Sequence, residues 1–195
     1  MRTASITRQT KETRIELTLD LDNPSEGTIQ TGSGFLDHML DLLRKHGGFG
    51  LTVKCEGDVH VDMHHSAEDI AICLGEALLQ AAGDKKGIER YGFYYVTMDE
   101  ALARCCLDLS GRMSIVWNVP VAAARIGNLD TEMIEHFFHS VAENGRMNLH
   151  LDLLRGTNTH HCFEGLFKAF ARALSMAVSP SRRVPGIPST KGTLA

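Results

Sequence analysis

Apolar residues recur along this chain in two rhythms, and each rhythm occurs twice. From Glu12 to Leu21 (ETRIELTLDL) apolar and polar positions alternate, as on a half-buried strand around Leu17. The same alternation returns around Leu107, in EALARCCLDL from Glu100. The second rhythm has helical spacing. Phe35, Leu36, Met39, Leu40 and Leu43 share one face, which Gly47-Gly48 stops. Its partner carries Met133, Ile134, Phe137, Phe138 and Val141 and stops at Gly145. A short strand follows in each case (LTVKCEG, MNLHLDLL), then a long helix that opens on paired histidines. In the first copy Ile70, Ala71, Leu74, Ala77, Leu78 and Ala81 form its apolar stripe, with Gly83 near the C-cap.

These pairs make the chain an internal duplication. MHHSAED around His64 recurs as THHCFEG around His160, LDHML (Leu36–Leu40) aligns with IEHFF (Ile134–Phe138), and Glu12 aligns with Glu100. Asp62 and Asn158 precede the two long helices and are expected as matched N-caps. The pattern predicts two similar α+β halves, residues 1–90 and 91–195, that pack into one compact unit.

The His-His-x-x-Glu helices carry the chemistry. On a helix, residues i and i+4 share a face while i+1 lies about 100° around. His64 and Glu68 can therefore chelate one ion while His65 points to another, and the same holds for His160 and Glu164 against His161. The duplicated His38 and His136, each on the preceding helix, supply a third element per half. Pseudo-twofold symmetry then suggests the sets His64, Glu68, His136, His161 and His38, His65, His160, Glu164. Both are nitrogen and oxygen without thiolate, which suits Mn, Fe, Ni or Zn and leaves coordination positions open for substrate.

Charge and composition narrow the partners. A net charge of −4 gives no case for nucleic acid or an anionic membrane, so a phosphate site must be a local basic pocket. The first residues (MRTASITRQT) lack an apolar signal core, and no uncharged apolar stretch approaches about 18 residues. The 5 cysteines, odd in number and without C-x-x-C spacing, read as reduced thiols of a cytoplasmic protein.

Beyond the helices, the motifs TxET (Thr10–Thr13), GFLDHMLDLLRKHGGF (Gly34–Phe49), DMHHSAEDIAICLGEAL (Asp62–Leu78), DLSGR (Asp108–Arg112), NTHHCFEGLFKAFARAL (Asn158–Leu174) and PSTKGTL (Pro188–Leu194) run nearly end to end. Together they resemble the imidazoleglycerol-phosphate dehydratase family, in its monofunctional form. The resemblance implies helices packed between two four-stranded mixed sheets. It also implies two Mn²⁺ ions per active site and a cubic homo-oligomer of about 24 chains, with metals bridging neighbouring subunits. The implied reaction of histidine biosynthesis removes water from imidazole glycerol phosphate to give imidazole acetol phosphate. A metal-bound imidazolate would expel the C3 hydroxyl while a free base takes the C2 proton. The family's TxET position makes Glu12 that base, although its repeat mate Glu100 also fits a structural role at a strand end. Phosphate binding is carried by the resemblance to His46, Arg90, Arg112, Lys168, Ser189 and Lys191, and further substrate contacts to Glu12, His38, His64 and His160.

Ser189-Thr190-Lys191-Gly192 follows Pro185-Gly186-Ile187-Pro188, which suits a C-terminal loop able to close on an anion. A metal-storage protein would use the same ligands but would have no need of a cationic pocket or a free Glu12. A metal hydrolase would need no C-terminal phosphate loop.

Overall fold

The computed structural model describes residues 1–194; Ala195, the last residue of the expected second half, lies outside the described residues. The chain runs β1 (Thr3–Gln9), β2 (Thr13–Asp20), β3 (Ile29–Gln30), α1 (Gly34–Gly47), β4 (Gly50–Gly57), α2 (His64–Ala82), then β5 (Tyr91–Met98) and β6 (Ala101–Asp108). It continues through β7 (Ser114–Asn118), β8 (Arg125–Ile126), β9 (Leu129–Asp130), α3 (Glu132–Asn144), β10 (Asn148–Arg155) and α4 (Thr159–Val178).

The first sheet has the order β1-β2-β4-β3 and the second β5-β6-β10-β7. Each is antiparallel except at one edge, where β3 runs parallel to β4 and β7 parallel to β10. Strand inner faces read as the alternation requires: Ile15, Leu17 and Leu19 are buried on β2, and Ala103, Cys105 and Leu107 on β6. Between the sheets lie the four helices, in the expected α+β arrangement. The long helices cover their own halves, α2 on β1 and β2 and α4 on β5 and β6. The short helices cross over: α1 packs on α4 and α3 on α2.

That exchange fuses the apolar faces into one core. At its centre Phe138 meets Phe167 and Phe170 at ring-centroid distances of 4.8 and 5.3 Å. All three rings are fully buried. Close helix and strand contact elsewhere requires glycine: an added Cβ at Gly92 of β5 would collide with the Ala173 carbonyl of α4.

Two local details differ from expectation. The β8–β9 hairpin has no counterpart in the first half, and it accounts for the repeat offset widening from strands to helices. Asp62 is not the N-cap of α2. Met63 holds that position, and Asp62 reaches past it to accept from the His64 N–H at 2.7 Å. Asn158 is the N-cap of α4 and accepts from His160 and His161 N–H at 2.9 and 3.3 Å. The longer loop before α2 shifts the polar residue one position upstream, yet a side-chain oxygen still satisfies a first-turn donor.

Phe138→Ala should destabilise the metal-stripped protein by about 3–5 kcal/mol, the usual cost of a large unfilled cavity. Urea denaturation followed by circular dichroism measures this, and an unshifted midpoint would move the centre of the core elsewhere.

Candidate metal centre

The first turns of α2 and α4 carry their histidines and glutamates to the end of the helical layer, where the short helices deliver one more histidine each. His64, Glu68 and His136 come together, with the His64 and His136 rings 5.2 Å apart. Glu68 lies 3.8 Å from His64 Nε2 and 3.3 Å from His136 Nε2. The matched trio is His38, His160 and Glu164, in which the Glu164 Oε2 stands 3.2 Å from His38 Nε2 and 3.1 Å from His160 Nε2. In each trio the three ligand atoms lie within 4.8 Å of one another. The i, i+4 pairs therefore share a centre, and each is completed by a short helix from the other half.

This donor set fits a divalent ion. Two imidazole nitrogens and one carboxylate oxygen are borderline ligands of the kind first-row metals take. His136 Nε2 is shielded from solvent and, despite its nearness to Glu68, makes no hydrogen bond of acceptable geometry. An unmet buried nitrogen lone pair beside a carboxylate is well matched by a cation.

His65 and His161 stand outside both trios. His65 Nδ1 is 3.0 Å from Asp58 Oδ2, and His161 Nδ1 is 2.8 Å from Glu100 Oε2. The hydrogen bond to Asp58 raises the His65 pKa, and that to Glu100 raises the His161 pKa. Glu100 itself is held at about 2, first by His161 and then by the Asn158 and Thr157 backbone N–H groups.

Glu12 sits exposed in the turn between β1 and β2. Its N–H donates to Thr10 Oγ1 at 3.1 Å and its carbonyl accepts from the Asp58 N–H at 3.1 Å, so the turn is fixed while the carboxylate makes no hydrogen bond or ion pair among the described residues. Next to it, buried Thr13 donates to Asp69, which also accepts from Arg8 Nε at 2.8 Å. Asp69 and Asp58 carry no repeat signature, since their counterparts are Gly165 and Thr157, and periodicity could not single them out.

The cationic residues fall into two groups. Arg90, Arg112, Ser189 and Lys191 line one pocket of about 810 Å³ beneath the C-terminal segment. There Arg90 is already engaged, donating through Nε and Nη2 to Asp108 at 2.6 and 2.9 Å and through Nη1 to the Pro188 carbonyl at 2.7 Å. Arg112 and Lys191 have no side-chain partner among the described residues. His46 and Lys168 lie instead beside the second trio. The Lys168 amine is 2.6 Å from Glu164 Oε1. Burial works to raise the Glu164 pKa, but the hydrogen bonds from Lys168 and His38 outweigh it and hold Glu164 at about 2. Burial lowers the His46 pKa, and the charges of Lys168 and Arg172 lower it further. Within a single chain the structure thus brings four of the six expected phosphate residues together and places the other two at a metal trio.

The sequence profile described as "IGPD: Imidazoleglycerol-phosphate dehydratase" matches residues 31–174. An imidazoleglycerol-phosphate dehydratase of Lacticaseibacillus casei is 55% identical over 194 residues, and one of Cereibacter sphaeroides is 51% identical over 195, each alignment covering 100% of both chains. Among solved structures, imidazoleglycerol-phosphate dehydratase from Staphylococcus aureus superposes with a TM-score of 0.84 at 41% identity, covering 92% of this chain and 99% of that one. The enzyme from Pyrococcus furiosus, solved as a complex, gives 0.80 at 31% identity over 97% and 100% of the two chains.

His64→Ala and His136→Ala should each empty the same metal position, so the double variant should lose no more metal than either alone. Combining His64→Ala with His38→Ala should empty both. Mass spectrometry of metal per chain checks this, and additive loss in the His64/His136 pair would break up the first trio.

Proposed function

The chain belongs to the imidazoleglycerol-phosphate dehydratase family, lyases of histidine biosynthesis, and on that premise we propose that it converts imidazole glycerol phosphate to imidazole acetol phosphate with two manganese ions per active site. The observation that carries this reading is the pair of matched trios, His64, Glu68, His136 and His38, His160, Glu164. Nitrogen and oxygen donors without thiolate accept manganese, iron, nickel or zinc, and we take manganese because the family resemblance implies it. Among the described residues no helix is long and apolar enough to cross a membrane. We place the activity in the cytoplasm, in keeping with cysteines that stay free thiols.

Three protein ligands per trio leave each ion short of its full set. His161 and His65, held with their rings at the chain's edge, are the fourth ligands of the two sets, and they reach the trios of neighbouring subunits in an assembly of about 24 chains. The same juxtaposition would bring the phosphate pocket of one chain to the metals of another and reunite the two groups of cations. Large side chains such as Phe93 and Tyr95 on the outer face of β5, 57% and 52% exposed, support the presence of subunit contacts.

The reaction is hard because the C2 hydrogen is not acidic and the C3 hydroxyl leaves poorly. A metal held by the two trios would supply Lewis acidity to the substrate's imidazole, making its N–H more acidic and the ring better able to expel the C3 hydroxyl, with that proton and the hydroxide leaving together as water. Glu12 accepts the C2 proton: it is the acidic side chain near His65 that is neither a ligand nor a hydrogen-bond partner. The enol so formed rearranges to the ketone. Arg112, Lys191 and the Ser189 hydroxyl hold the phosphate, and Arg90 ties the C-terminal segment down through Pro188. Lys168, now 2.6 Å from Glu164, would be free to turn to the substrate once a metal held that carboxylate.

The direct test is turnover of imidazole glycerol phosphate by the purified protein, before and after chelation and with manganese restored. Absence of turnover in the manganese-loaded protein would overturn the reading. Chelation should also break the assembly into smaller species, and light scattering that shows an unchanged particle after verified metal removal would remove the bridging role.

Glu12→Gln should keep folding, metal content and KM while cutting kcat by roughly two to four orders of magnitude. Retention of more than about a tenth of the rate would assign the proton to another group. Arg112→Ala and Lys191→Ala should raise KM about tenfold or more at normal metal content, since each removes a charge-assisted contact of about 1.5–3 kcal/mol.

A further inference from the structure

The two expected ligand histidines outside the trios, His65 and His161, share one feature that the trio histidines lack. Each presents Nδ1 to a carboxylate, His65 to Asp58 and His161 to Glu100. A carboxylate accepts, so Nδ1 carries the ring proton and Nε2 is left with its lone pair. Metal-ligating histidines are oriented in this way, by a partner that fixes the tautomer and raises the basicity of the coordinating nitrogen. Among the described residues neither Nε2 makes a hydrogen bond, and Asp99 Oδ2 stands 3.7 Å from His161 Nε2, beyond hydrogen-bonding reach.

The carboxylates come from different places in the two halves. Glu100 is the repeat mate of Glu12, whereas Asp58 has Thr157 as its counterpart. The glycines just before them confirm this register. An added Cβ at Gly57 would meet Ser66 and Thr13, and one at Gly156 would meet their repeat mates Cys162 and Ala101. The β-bulge in β10 between Leu153 and Arg155 absorbs the extra residue. In the second half, with no acid at Thr157, the strand-end glutamate turns onto the histidine and also accepts from the Thr157 and Asn158 N–H groups at 3.2 and 2.7 Å. In the first half, Asp58 already occupies His65 Nδ1.

We infer that Asp58 and Glu100 are positioning residues that hold His65 and His161 in the tautomer whose Nε2 is offered to a metal of a neighbouring subunit, and that Asp58, by taking this duty, leaves Glu12 free to act as the base. The inference rests on the proposed reading of His65 and His161 as bridging ligands. Glu100→Gln would keep its carbonyl oxygen on the Thr157 and Asn158 N–H groups and turn an amide N–H to His161 Nδ1, which places the ring proton on Nε2, while Asp58→Asn, whose other oxygen has no partner, removes the charge that holds the proton on His65 Nδ1.

Manganese-loaded assemblies of wild type, Asp58→Asn, Glu100→Gln, His65→Ala and His161→Ala would be titrated with EDTA, following bound manganese by mass spectrometry and particle size by light scattering. Thermal midpoints with EDTA in excess would register any purely structural damage. The expected result is a 10–100-fold weaker hold on manganese in both amide variants, with midpoints in excess EDTA like wild type and recovery in Asp58→Glu. Manganese affinity and particle size like wild type in the amide variants, alongside metal loss in the two histidine variants, would overturn the positioning role alone. Wild-type behaviour of the histidine variants would overturn the bridging reading beneath it.

Discussion

Consecutive side chains on an α-helix point about 100° apart, and in this protein that simple angle governs the chemistry. A histidine pair at the start of a helix cannot serve one ion with both rings when a glutamate one turn later has fixed where that ion sits. Each pair is therefore divided. One ring stands with its own glutamate and a histidine from the opposite short helix, while the other turns to a carboxylate, Asp58 or Glu100. The rest of the architecture supports this division. The long helices are anchored along buried stripes, so their first turns are fixed in direction, and the short helices cross between halves to deliver the third ligand.

Duplication supplied two such centres, and the polar surroundings then diverged. Glu164 is buried and paired with Lys168, whereas Glu68 is more than a third exposed and has no lysine beside it. Glu12 and Glu100 occupy equivalent strand ends, one with a free carboxylate and the other engaged with a histidine and two backbone donors. Carboxylates held by cations, histidines and backbone N–H groups resist protonation and hold geometry; an uncommitted one can accept a proton from a substrate. The near-symmetric frame thus carries an asymmetric set of acids.

Much of this was legible in the residues themselves. Strand alternation around Leu17 and Leu107, the stripes of the short helices and the spacing of His64, Glu68, His160 and Glu164 led to the α+β fold and to two four-residue sets, of each of which the folded chain brings three residues together, because burial and helical geometry write directly into periodicity. What stayed out of reach depends on contacts across the fold. Asp58 and Asp69 sit at positions without a matching acid in the other half, and only the folded chain sets them against His65 and Thr13. The family resemblance assigns Arg90 to the phosphate, and only the folded chain shows Asp108 and the Pro188 carbonyl on its guanidinium. The division of the cations between the C-terminal pocket and the second trio follows from topology, which spacing cannot encode. The N-cap at Met63 in place of Asp62 reflects a longer loop, where one residue of slack leaves the hydrogen bond intact.

The crossing of the short helices bears on how such a chain arose. One half alone would keep its sheet and long helix but leave α1, or α3, with its apolar face uncovered and each trio missing a histidine. A product of the unduplicated gene would meet both needs by exchanging short helices with an identical partner, as a domain-swapped dimer with two equal centres. Joining the copies in one chain removed the requirement that both carry the same residues. Only after that fusion could one strand-end glutamate stay uncommitted while its twin became part of the scaffold.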